Sequence, residues 1–167
     1  GGIAGPASFQ RVPIAGASDA KLLAVGSDHV CASVGDTGPL CWGSNQGGKA
    51  NWKDKSAIIK PTLIGSDKIK QIAAMAAHTC ALTTDAKLTC WGDDSSSAFA
   101  DPQTAGKDFV FSQVGKQFTE LVAAGGSGST TCVLDANYGP FCAGLSLLVP
   151  NPKAPPQVSP TFLPVLT

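Results

Sequence analysis

Six cysteines fall into three pairs of one spacing. Cys31 stands ten positions before Cys41, Cys80 before Cys90 and Cys132 before Cys142, and no cysteine is left over. The flanking residues repeat as well: "HVCASVGDTGPLCWG" (29–43), "HTCALTTDAKLTCWG" (78–92) and the weaker "TTCVLDANYGPFCAG" (130–144). An even number of cysteines at one fixed spacing reads as a disulfide framework formed in an oxidising compartment. Structural zinc sites bring paired ligands two to four residues apart, and these pairs lie outside that range.

The spacing also carries a register. Residues opposed across a two-residue hairpin loop differ by an odd number, so a separation of ten calls for an odd loop, such as three residues with a bulge. Each pair then faces itself across one hairpin, at Cα separations a disulfide tolerates. On the chain-entropy model each staple contributes roughly 2 to 3 kcal/mol. The first cysteines of the pairs are 49 and 52 residues apart, a period typical of propeller blades and similar arrays. Short apolar runs ("LLAV", "QIAAM", "ELVAA") alternate with Gly-, Asp- and Asn-containing turns, the pattern of short strands. The fold expected is all-β: three tandem propeller-blade repeats of about 50 residues, a partial or open β-propeller with disulfide-stapled hairpins.

Trp42–Gly43 and Trp91–Gly92 occupy one repeat position, where the third copy has Ala143–Gly144. A large ring recurring once per repeat is expected to pack between blades, with Gly allowing a tight exit. A ligand-stacking platform is the competing reading. His29 and His78 are also repeat-equivalent, and Thr130 replaces them in the third copy. Structural imidazoles bonding to backbone within their own blade are expected, because no convergent ligand set accompanies them.

"HTCALTTDAKLTCWG" resembles the repeat of the regulator of chromosome condensation family, an apolar strand followed by Gly-x-x-His-Thr-x-Ala-Leu, a turn and Trp-Gly. The cysteine-bearing form resembles secreted or ectodomain members, as in CRINKLY-type receptor ectodomains. The resemblance spans about residues 20–145 and implies four-stranded blades around an axis, generally seven, so three repeats would not close a ring. It also implies a strand near a proline upstream of each repeat, with candidates "FQRVPIAG", "IIKPTLIGS" and "DFVFSQVG". A fourth candidate is "PPQVSPTFLPVLT". The expected organisation is an N-terminal extended segment or strand at 1–19, three repeats at about 20–55, 56–108 and 109–145, and a Pro-rich segment at 146–167 able to complete a neighbouring chain's blade.

Twelve basic and twelve acidic side chains with a single arginine, Arg11, leave no basic patch for nucleic acid. No apolar run reaches the roughly 20 residues of a membrane helix. The chain opens "GGIAGP" rather than with Met, so a processed or excised product is expected. Catalytic groups are scarce: both histidines belong to the repeat, Glu120 is the only Glu, and "GGSGS" (125–129) lacks the lysine of a phosphate loop. Asp93 and Asp94 in a Ser-rich loop read as solvated or turn-forming, since a calcium loop needs spaced acidic ligands. No cofactor, catalytic residue or metal ligand is expected. Ser159 and Thr161, beside prolines, are candidate O-glycosylation acceptors. The function expected is a secreted, non-enzymatic structural subunit that associates with copies of itself, as ring or filament. The alternative is a recognition module for protein or glycan within a larger propeller.

Overall fold

The computed structural model describes residues 13–115, 118–123, 130–146 and 157–164. Its regular structure is three antiparallel four-stranded sheets and one 3-10 turn at Gln46–Gly48. The first blade is β1 (Ala20–Val25), β2 (His29–Val34), β3 (Pro39–Ser44) and β4 (Ile58–Leu63). The second is β5 (Ile69–Ala74), β6 (His78–Thr83), β7 (Lys87–Gly92) and β8 (Val110–Gly115). The third is β9 (Phe118–Ala123), β10 (Thr130–Asp135), β11 (Gly139–Ser146) and β12 (Gln157–Pro164).

In every blade the two cysteines are directly opposed across the central hairpin. Three disulfides close there, each with its Cα atoms 4.1 Å apart. The loop between strands is 84–86 in the second blade and 136–138 in the third, so the odd loop that the spacing requires is present. Positive φ at Ala86 and Gly139 turns these chains, and Gly35 and Gly38 serve the first hairpin.

The upstream strands pair backwards. "IIKPTL" is β4 and completes the first blade, while "VFSQVG" is β8 and completes the second. Gln157–Pro164 follows the same rule. It lies against β11 of its own chain, so the segment expected to reach a neighbour forms the fourth strand at home. The strand units are therefore Ala20–Leu63, Ile69–Gly115 and Phe118–Pro164. Side chains of β12, Ser159 and Thr161 among them, lie outside the description, as do Phe9–Val12 and the "GGSGS" stretch.

Alternation within each strand gives a blade two faces. Strand β5 packs on β1 and β2, and β9 on β5 and β6, so each blade turns a leading face to the one before it and a trailing face to the one after. Ile72, Ala81 and Trp91 of the second blade's leading face meet Cys31, Cys41, Ile59 and Ile64 of the first. Phe118, Leu121 and Val133 of the third meet Cys80, Leu82, Leu88 and Cys90 of the second. The disulfides thus sit on trailing faces, sealed wherever another blade follows.

Candidate functional site at the blade seams

The two histidines make the seams specific. His29 on the trailing face of the first blade places Nε2 2.7 Å from Thr79 Oγ1 on the leading face of the second. Thr79 gives its own hydroxyl proton to the Lys49 carbonyl, 2.9 Å away, so it accepts the imidazole N–H, and His29 carries its proton on Nε2. One blade on, His78 Nε2 lies 2.9 Å from Thr131 Oγ1. The expected partner, backbone within the same blade, is corrected: each ring clasps a threonine of the next blade. Sequence reading missed these threonines, although the residue after the repeat histidine is Thr79 in one copy and Thr131 in another.

Both imidazoles are buried and neutral. Burial pushes His29 and His78 down to about 4, and at His29 the Lys49 ammonium lowers it further. Nδ1 of each ring has no hydrogen-bond partner, so a second ring proton would be an unsatisfied buried donor. The glycine after each tryptophan position is what brings the strands close behind these rings. Gly43 pairs with His29 and Gly92 with His78, both glycines at positive φ, and a Cβ on either would sit under 3 Å from the histidine Cα.

Around this shared clasp the seams differ. At the first, Lys49 is almost fully buried, with Nζ 2.6 Å from Asp28 Oδ1 and 3.1 Å from the Ala76 carbonyl. Burial raises the Asp28 carboxyl, but hydrogen bonds from Lys49 and Ser27 outweigh it and hold it below the ordinary range. The repeat-equivalent residues at the second seam are Ala77 and Ala98. There Phe99 lies beside His78 at 5.3 Å between ring centres, and the contact is apolar. Trp91 fills the first seam, whereas Ala143 occupies its position in the third blade. Trp42 is half-buried, on a leading face that no described blade covers.

The loops after the tryptophans are each anchored by one buried side chain. Asn45 Nδ2 donates to the carbonyls of Asn51, Asp54 and Ser56, and its Oδ1 accepts from the N–H groups of Ala50 and Asn51. Asp94, 49 positions later, accepts from the Phe99 N–H and the Thr104 hydroxyl. Burial raises its pKa. Asp93 instead forms an exposed turn with the Ser95 N–H. Among the described residues no three His, Cys, Asp or Glu side chains gather as metal ligands, and no helix is long and apolar enough to cross a membrane. A cavity of about 370 Å³ opens at the first seam beside Trp52, Trp91 and Phe111, with Lys53, Asp67 and Thr89 also lining it. Trp52 stacks on Phe111 at 4.6 Å.

Disulfide-stapled, four-stranded blades joined by a histidine–threonine clasp define an open array of propeller-type repeats. Residues 69–97, within the second blade, match the Regulator of chromosome condensation (RCC1) repeat family, and the other two blades repeat the same architecture. Among solved structures, human WBSCR16 is similar with a TM-score of 0.70 at 18% identity, over 87% of this chain and 38% of that one. Prp20p from Saccharomyces cerevisiae, whose structure was described with its binding to Gsp1p and histones, gives 0.68 at 18% identity over 89% and 39%. The ectodomain of the Physcomitrella patens receptor kinase CR4 gives 0.50 at 25% identity over 77% and 29%. The chain therefore spans about two fifths or less of the structures it resembles. No curated protein matches its sequence.

Proposed function

We propose that this chain is an extracellular, non-enzymatic binding and assembly module that associates with further copies of itself through its outer blade faces. The observation that carries this reading is the contrast between inner and outer faces. Ile72 and Leu121, at the repeat position of Leu23, are half-buried and buried under a neighbouring blade, while Leu23 is 65% exposed. Val25 beside it is 67% exposed, and on the trailing face of the third blade Val122 is 54% exposed. The apolar cluster on the first blade's outer face, and Val122 on the third's, favour burial against another surface. Three disulfides and the likeness to a receptor ectodomain support the extracellular assignment.

Sedimentation of the oxidised full chain across a wide concentration range tests this. Concentration-dependent growth into a dimer or a longer series is the expected outcome, and a monomer throughout overturns it. The aromatic cavity of the first seam favours a second reading, a recognition module. A monomer whose tryptophan fluorescence responds saturably to a defined glycan or peptide would establish that reading instead.

A further inference from the structure

The clasp runs in one direction, and its two ends are altered in a matched way. The first blade contributes a donor, His29, but has Val30 where an acceptor threonine would stand on its leading face. The second has both, Thr79 and His78. The third has Thr131, which meets His78, but Thr130 in place of a histidine on its trailing face. Register fixes these equivalences: His29, His78 and Thr130 oppose Gly43, Gly92 and Gly144, while Val30, Thr79 and Thr131 oppose Trp42, Trp91 and Ala143.

A histidine-bearing trailing face set against Val30 would bury an imidazole N–H without its acceptor. Losing one partner of a buried pair costs the full desolvation of the other, a cost that does not arise where no imidazole N–H is presented to the valine. Of the three trailing faces in this chain, only the third presents no imidazole N–H at this position to the first blade's leading face. We infer that the leading face of the first blade, open at Leu23, Val25 and Leu63, docks on the third blade's trailing face, at the exposed Val122 and over the buried Thr130, in a second copy of this chain. The contact is head-to-tail, and it lacks the clasp used at the internal seams. Leu40 on the same leading face is already buried, next to Gly16, so the junction centres on the row of Val25, Val30 and Trp42.

This inference rests on the self-association proposed above, and a double-mutant cycle on the oxidised full chain separates the two. Val30→Thr and Thr130→His should each raise the half-assembly concentration about tenfold, the order expected when one buried polar group lacks its partner. The double variant rebuilds the clasp across the junction and should return assembly to the wild-type concentration or below it. Leu23→Lys, at an exposed position, should abolish assembly. Disulfide mapping and circular dichroism monitor the fold of every variant. If the wild-type chain assembles but Leu23→Lys assembles equally well, or the double variant is no better than its parents, this junction is wrong and self-association proceeds through another surface. If the wild-type chain stays monomeric at every concentration, self-association itself is refuted, and the junction with it.

Discussion

The two internal seams use the same imidazole–hydroxyl bond and surround it with opposite chemistry. At the first, Lys49 and Asp28 form an ion pair and Trp91 fills the wedge; at the second, alanines hold the ion-pair positions and Phe99, Phe118 and Val133 supply apolar contact. A buried ion pair and a well-packed apolar contact can be energetically interchangeable, provided neither charge is left alone. The clasp and its close-approach glycine thus fix how blades stack, while the rest of the seam is free to vary as long as it varies in pairs.

The largest effect expected is at the wedge. Trp91→Ala should cost about 3 to 5 kcal/mol, as large-to-small changes in closed cores do, and chemical denaturation would measure it. Trp91→Phe should cost far less, because the indole N–H has no partner to lose.

Next is acid sensitivity, which both seams share. The folded pKa of each histidine is about 4 against an ordinary 6.5, so between those values the unfolded chain binds protons that the folded chain refuses. Stability should be full above about pH 6.5 and fall toward pH 4, by on the order of 3 kcal/mol per histidine. His78→Gln should remove about half of that pH dependence, the remainder belonging to His29. Asp94 runs the other way, since its raised pKa means stability is lost as pH rises above 3.8. A denaturation series from pH 4 to 7 on both proteins checks the difference.

The smallest effect sharpens the contrast most. Asp28→Ala leaves the Lys49 ammonium buried with only a carbonyl partner, and should cost about 2 kcal/mol, discounted because Asp28 is partly exposed. Asp28→Ala with Lys49→Ala reproduces the alanine pair of the second seam and should recover much of the loss. A double variant no more stable than Asp28→Ala alone would show that the two seams are not interchangeable in this respect.

Hairpins, disulfides and loop parity were legible because cysteine spacing sets a register, and register is a one-dimensional property. Blade membership of "IIKPTL" was not, since a strand's local pattern is the same whichever neighbour it pairs with, and β4 and β8 each follow a long loop. Lys49 sits in "QGGKAN", where a lysine looks solvated; only three-dimensional stacking places it against Asp28. The loop anchors Asn45 and Asp94 and the threonine acceptors were within reach. Each anchor falls two residues after a repeat glycine, and each acceptor one residue after the repeat histidine position.

The staples lie inside blades, never between them, and their shelter is uneven. Cys31–Cys41 and Cys80–Cys90 are essentially inaccessible beneath the following blade, whereas Cys132 and Cys142 are only half-buried. A reducing agent can attack a sulfur only where a thiolate can approach it. In a single copy the third bridge therefore exchanges directly with its surroundings, while the first two exchange only during moments when neighbouring blades part. Covalent chemistry in this chain thus keeps time with the breathing of its non-covalent joints, and in a single copy its redox lifetime is set by mechanics at two of the three bridges.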